Sequence, residues 1–271
     1  MDETEQLVYL YCIAHPEPEL TGIPSLGDNL YSIGHDGLYA VVSNVEQWEF
    51  GEEALKRNIA DFQWVKTQAT LHEKTIEHIM TSSDVIPFKL GTLFNTNDSL
   101  TAMLDRYGKE LKTLLRKLED KEEWGVKIYC DTERLKASSV EDDSEIKKID
   151  ARISGTSPGK AFFLKKKKAE LLALSANGRI NEYGQYNFDL LRELSHEARI
   201  NNLLPEEATG REDPMILNAA FLIDTNKVVN FLNTVDTLNT HYKEKGLLID
   251  CSGPWPPYNF CDLSYKKDLC A

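Results

Sequence analysis

The chain has 271 residues, 41% of them apolar and 28% charged, which is enough for two modest domains with their own cores. Its formal net charge of −13 argues against nucleic acid as the main partner, because phosphate binding needs a basic face. No apolar run reaches the roughly 18 residues that cross a bilayer, and the acidic start Met1–Glu5 lacks the basic and apolar parts of a signal peptide, so a cytoplasmic chain without membrane contact is expected.

Leu7 to Ile13 is a nearly continuous apolar run and predicts a strand covered on both faces. His15-Pro16-Glu17-Pro18 stops it. Leu30 to Ile33 and Leu38 to Val45 predict two more strands, with Gly34-His35-Asp36-Gly37 between them. Asp-Gly marks a hairpin because both turn residues tolerate positive φ. A single helix is expected from about Glu52 to Met80, where Leu55, Ile59, Phe62, Val65, Ala69, Ile76 and Ile79 recur at helical steps around a gap at His72 and Glu73. Asp84 to Phe88 predicts a strand that enters a Gly91-Thr92 loop. Asp98 is the expected cap of a helix running to about Lys121, with Leu100, Met103, Leu104, Tyr107, Leu111, Leu114, Leu115 and Leu118 as its stripe.

The second half opens with a strand at Trp124 to Cys130. Lys136 to Gly159 is polar and reads as a long surface connection with room for a short helix. Pro158 suits a first helical turn, and a long helical segment is expected from there towards Leu203, kinked or broken at Gly178 or Gly184 and ended by Pro205. Glu207 to Thr209 reads as a short strand and Asp213-Pro214 as a turn. Ile216 to Ile223 reads as a strand. Thr225 is the expected cap of a helix carrying Val228, Phe231, Leu232, Val235, Leu238 and Tyr242, with Gly246 as its C′ glycine. Leu247 to Cys251 is the last strand. The order βαββαβ is that of a ferredoxin-like domain. The expected organisation is α+β: an N-terminal α+β domain at 1–121, a ferredoxin-like domain at 122–252, and an extended Pro/aromatic tail at 253–271 whose end, Leu263 to Ala271, is expected to be mobile.

Five cysteines, Cys12, Cys130, Cys251, Cys261 and Cys270, form no C-x-x-C and no zinc spacing. Reduced thiols are expected, with Cys12, Cys130 and Cys251 as small buried hydrophobes in strands. His72, Glu73, Glu77 and His78 share one helix. The two histidines are six apart, roughly 240° around a helix of about 3.6 residues per turn, so they cannot grip one metal as a metalloprotease pair would. A surface helix with paired charges explains them. Lys165-Lys166-Lys167-Lys168 reads as the solvated side of a helix, or as an anion-binding patch. Gly91-Thr92 lacks the phosphate-loop spacing, and Ser195-His196-Glu197 is contiguous on an expected helix, where three side chains diverge and make no triad. No cofactor or metal site is expected.

The densest stretch is Gly253-Pro254-Trp255-Pro256-Pro257-Tyr258-Asn259-Phe260. Proline excludes it from a helix interior or a central strand. Two readings of Trp255, Pro256, Pro257, Tyr258 and Phe260 stand open. They plug an edge of the chain's own core, or they form a preorganised apolar ridge that binds another chain.

This octet resembles the GPWPPYSF-type signature of the gas vesicle F/L family (GvpF/GvpL) of accessory proteins, with Asn259 where the family often has serine. Four other segments resemble that family in the same order. They are Val8-Tyr9-Leu10-Tyr11, His72-Glu73, Ile86-Pro87-Phe88-Lys89-Leu90-Gly91-Thr92-Leu93-Phe94, with Leu90 in place of an aromatic, and Ser157-Pro158-Gly159-Lys160-Ala161-Phe162-Phe163-Leu164. The resemblance covers most of the chain. It implies two α+β domains and a minor structural or assembly role in gas vesicles, the gas-filled, protein-walled organelles of buoyancy. The implied partners are the hydrophobic shell protein and other accessory proteins, at the vesicle or in the cytoplasm. The rival reading is a metal- or nucleotide-dependent hydrolase or transferase using His72 and Glu73 beside Thr92.

Overall fold

Residues 6–261, apart from 143 and 154, are described by the computed structural model of the chain. It is a mixed α+β structure with two sheets. Contacts divide it into two compact units, one of Met1–Glu122 and Pro254–Ala271, the other of Glu123–Gly253.

The first unit is built on β1 (Gln6–His15), which is buried from Val8 to Ala14. Burial of both faces is what its unbroken apolar sequence demands. β2 (Asp28–His35) and β3 (Leu38–Glu46) form the expected hairpin. Asp36 at φ 47° and Gly37 at φ 77° make its turn, pairing His35 with Leu38.

After β3 comes a short helix, α1 (Gln47–Phe50), and the single helix expected from Glu52 to Met80 is two, α2 (Glu52–Asn58) and α3 (Phe62–Ile79). The break has a local cause. Asp61 leaves the helical region and its carboxylate accepts from the N–H groups of Gln63 and Trp64, which starts a new helix. Ile59 and Phe62, expected on the buried stripe, are exposed.

β4 (Asp84–Pro87) follows, then β5 (Leu93–Phe94), a strand too short to leave a sequence signal, and α4 (Asn97–Leu118). The α4 cap is Thr96 and not Asp98. Thr96 and Ser99 bond reciprocally in a capping box, and Asp98 lies in the first turn. The sheet runs β2-β3-β1-β4 with β5 also on β1, and these pairings are antiparallel. Both α3 and α4 contact β1.

The second unit's strands are β6 (Lys121–Cys130), β7 (Glu197–Ile200), β8 (Met215–Asp224) and β9 (Leu247–Trp255), in sheet order β7-β8-β6-β9. After β6 the expected surface connection is instead α5 (Thr132–Asp142) and α6 (Ser144–Ile153). Leu135, Ile146 and Ile149 are their buried anchors. α7 (Pro158–Glu193) is one unbroken helix with Pro158 in its first turn. Gly184 does not break it. A Cβ there would stand 3.2 Å from the Ile216 carbonyl oxygen, so the missing side chain lets α7 lie close on β8.

α7 ends at Glu193, short of Leu203, and Ser195, His196 and Glu197 belong to the turn and the start of β7, not to a helix. Glu206–Thr209 forms a helical turn, α8, where a strand was expected. α9 (Val228–Tyr242) buries Phe231, Val235, Leu238 and Tyr242. A 3-10 turn at Thr225–Lys227 precedes it, and Asp224 occupies the cap without a side-chain bond. Gly246, at φ 85°, ends the turn that follows α9. Phe188, Leu191, Phe221, Phe231 and Val235 lie at the centre of this unit's core.

β9 does not stop at Cys251. It continues through Gly253 and Pro254 to Trp255. β9 is the edge strand beside β6, a position where proline is tolerated. The chain then turns through a 3-10 segment at Tyr258–Phe260. The expectations for Leu263 to Ala271 and for Cys270 lie outside the described residues.

Candidate functional site

Alternate residues of a strand share a face, so Tyr9 and Tyr11 of β1 point together toward α3. They meet His72 there. All three are essentially inaccessible, at 0%, 0% and 1% exposure. His72 lies one turn before Ile76 and two before Ile79, so it belongs to the buried stripe of α3 and fills the apparent gap in it. The surface-helix reading therefore fails for His72, although His78 is exposed and Glu77 partly so.

The hydrogen bonds fix the protons of His72 and Tyr9. His72 Nε2 lies 3.0 Å from the Phe88 carbonyl oxygen, which can only accept. Nε2 therefore carries the hydrogen, and Nδ1 accepts from the Tyr9 hydroxyl at 2.8 Å. The Tyr9 oxygen in turn accepts from the Gly91 backbone N–H at 3.2 Å. On the other side, the Tyr258 oxygen lies 3.1 Å from Nε2, and its hydroxyl donates to Glu73 Oε1 at 3.0 Å. One chain of donors thus runs from the Gly91 loop through β1 and α3 to the C-terminal segment. The Tyr11 ring stacks on His72, with centroids 5.6 Å apart and planes 20° apart. Its hydroxyl accepts from Leu26 N–H at 2.6 Å and meets Ser43 Oγ at 3.0 Å.

Burial sets the electrostatics. It pulls His72 down to about 4, so the imidazole is neutral, against a smaller upward pull from the Phe88 carbonyl. Burial pushes the Tyr11 phenol up to about 12 and raises Tyr9 and Tyr258 further. Glu73 is raised by burial, with the Tyr258 hydroxyl working in the opposite direction.

Of the octet, Pro256, Pro257 and Phe260 are buried, Tyr258 is partly buried with its hydroxyl in the chain just described, and Trp255 is 41% exposed. Both members of the His-Glu pair reach Tyr258, a long-range partnership with no local sequence signal. Thr92 is not part of this chain of bonds; its hydroxyl donates to the Lys89 carbonyl at 2.8 Å. Ser195 Oγ donates to the Arg192 carbonyl, and Glu197 binds Arg199. Lys165, Lys166 and Lys167 are exposed, whereas Lys168 is half-buried and binds Asp150 at 2.6 Å. Cys12, Cys130, Cys251 and Cys261 are free thiols, and burial pushes Cys130 and Cys251 up to about 11. Among the described residues no cluster of His, Cys, Asp and Glu is arranged to hold a metal, and no helix is long and apolar enough to cross a membrane. Chemically the site is a closed circuit: the imidazole has both nitrogens engaged and the carboxylate holds a phenol.

Three kinds of likeness accompany this geometry. The family model described as "Gas vesicle synthesis protein GvpL/GvpF" matches residues 7–262. Gas vesicle protein L of Streptomyces sp. (strain CB03234) is 25% identical over 96% of this chain and 95% of its own length. Gas vesicle protein F of Nostoc sp. (strain PCC 7120) is 26% identical over 95% of this chain and 98% of its own. Among solved structures, the crystal structure of GvpF from Anabaena sp. PCC7120 superposes with a TM-score of 0.69 at 22% identity. It covers 96% of this chain and 97% of that one.

Proposed function

Since the chain belongs to the gas vesicle synthesis protein GvpL/GvpF family, we propose that it is an accessory factor of gas vesicle formation that works by holding surfaces and not by making bonds. The observation that carries this reading is the family match across 7–262. The buried circuit at His72 supports it, because each of its polar groups serves a neighbour in the fold.

The client in this proposal is the hydrophobic shell protein, with other accessory proteins as further partners, in the cytoplasm or at the vesicle. A shell subunit exposes apolar surface before assembly. An acidic partner with sheet edges and an aromatic prominence shields that surface and yields it to the growing wall. The proposed organisation is an α+β domain at 1–121, a ferredoxin-like domain at 122–252 and the segment 253–271. The order β7-β8-β6-β9 supports the ferredoxin-like part, since it is the arrangement a split βαβ pair produces. Within the octet, Trp255 is the proposed docking side chain. Pro256, Pro257, Tyr258 and Phe260 form the seat that presents it.

The test is capture of the shell protein by Trp255→Glu, checked for an unchanged melting temperature, with complementation of a deletion strain by the same variant. The expected result is loss of capture and of flotation. Undiminished capture removes Trp255 as the docking residue. Normal flotation of the deletion strain removes the assembly role, and a stoichiometric nucleotide or metal bound by the purified protein reopens the enzyme reading.

A further inference from the structure

Two surfaces carry large exposed side chains that the fold does not use, and their charges are opposite. The first surrounds the α1–α2–α3 junction. Trp48, Ile59 and Phe62 are 66%, 59% and 72% exposed there. The junction is held together by Asn58 Nδ2 donating to the Glu49 carbonyl at 3.0 Å and by Trp64 Nε1 donating to Glu49 Oε1 at 2.9 Å. Its sequence, 46–62, has five acidic and two basic residues.

The second surface lies on α6 and the start of α7. Phe162 and Phe163 are 67% and 71% exposed, with rings 5.9 Å apart, and Leu174 is 69% exposed on the same helix. From 145 to 174 there are eight basic and three acidic residues, a net +5 in a chain of −13. Lys168 faces inward to Asp150, while Lys165, Lys166 and Lys167 remain at the surface beside the rings.

We propose that these surfaces are the two halves of a head-to-tail contact between copies of this chain, the basic Phe162/Phe163 face of one copy seated on the acidic Trp48/Phe62 face of the next. Charge complementarity selects the occupant. The chain is acidic overall, so a second copy offers a matching acidic, aromatic surface. An isologous contact through either surface would set like charges face to face, which disfavours association. Exposed aromatics rimmed by charge are the usual anchors of such contacts. A contact between two different surfaces is heterologous and propagates into a ring or an open chain. The inference goes beyond the function proposed above and does not depend on it, because it concerns the purified chain alone.

The experiment is sedimentation velocity of the full chain at rising concentration and two salt levels. The expected result is self-association with an apparent Kd of about 10–100 μM, weakened roughly tenfold at high salt. Phe162→Ser with Phe163→Ser, and separately Trp48→Ser with Phe62→Ser, should each abolish it. Charge reversal distinguishes this pairing from general stickiness. Glu52→Lys with Glu53→Lys leaves two basic surfaces, and Lys165→Glu with Lys166→Glu and Lys167→Glu leaves two acidic ones, so each variant alone should be monomeric. Mixing the two variants restores opposite charges and should restore association. All five charge-reversed residues are exposed, and circular dichroism checks that each variant is folded. A monomeric wild-type chain at about 100 μM in low salt overturns the proposal. So does association insensitive to the aromatic changes, or a mixture that stays monomeric. Binding of the Phe162/Phe163 face to anionic lipid vesicles, with no self-association, also overturns it.

Discussion

Tyr258 stands 186 positions from His72 in the chain, yet their polar atoms lie 3.1 Å apart, and its hydroxyl also serves Glu73. Tyr258→Phe keeps the ring and removes only the hydroxyl that serves His72 and a half-buried carboxylate. It should cost about 1–3 kcal/mol, read by urea denaturation. Tyr9→Phe should cost a similar amount, because it leaves His72 Nδ1 and the Gly91 N–H without their shared partner. The double variant should show a coupling of about 0.5–3 kcal/mol if the chain of donors acts as a unit. Strictly additive effects would mean two separate bonds.

The same imidazole predicts a pH dependence. Its unfolded value is the ordinary 6.5 and its folded value is about 4. Between the two, the unfolded chain binds more protons, so stability is full above about 6.5 and is lost as pH falls toward 4. The loss is on the order of 3 kcal/mol. Glu73 acts in the opposite sense near its ordinary 4.5, because its raised folded value favours the protonated fold and that contribution fades as pH rises. His72→Gln should flatten the slope between 6.5 and 4 in a series of denaturation curves. An unchanged slope would place the acid sensitivity elsewhere.

At the scale of elements, Gly253 decides how β9 leaves the sheet. It holds φ 148°, and a Cβ there would stand 2.9 Å from the Glu123 carbonyl oxygen and 3.0 Å from the Trp124 ring. Gly253→Ala must therefore push β9 away from β6 or distort it, at a cost of about 1–3 kcal/mol. Faster amide exchange along β9, with α9 unchanged, would be its signature. The sequence disclosed this glycine as the start of the aromatic run but not the close approach that requires it. The same division holds elsewhere. β1, the Asp36-Gly37 hairpin and α4 were legible because each is written in local signals: an apolar run, a turn pair, a leucine-rich stripe. What was not legible depended on distant partners. β5 is two residues long and exists only because β1 offers it an edge. Gly184 looked like a break because nothing local announces that β8 lies beneath it. α5 and α6 looked like a loop because their described buried side chains, Leu135, Ile146 and Ile149, are scattered among charged residues.

At the scale of the whole molecule, the last described residues are part of the first unit's interior. Phe260 and Cys261 are fully buried, as are Pro256 and Pro257. The octet was legible as two alternatives, a plug or a ridge. Its burial pattern covers Pro256, Pro257 and Phe260 and leaves Pro254 and Trp255 exposed. A chain cut short after Gly253 would therefore lose core volume as well as any docking surface. Phe260→Ala alone should cost about 3–5 kcal/mol, and the truncated chain should cost more. The damage should be local to the unit that contains the lost residues. Hydrogen exchange should show β1 and α3 deprotected while β8 and α9, whose core of Phe221, Phe231 and Val235 contains no described residue after Gly253, keep their protection. Uniform loss of protection across both units would mean that they unfold as one. Weak capture of a client by such a truncation would therefore report lost structure in the first unit, whereas Trp255→Glu changes a surface side chain and leaves Phe260 in place.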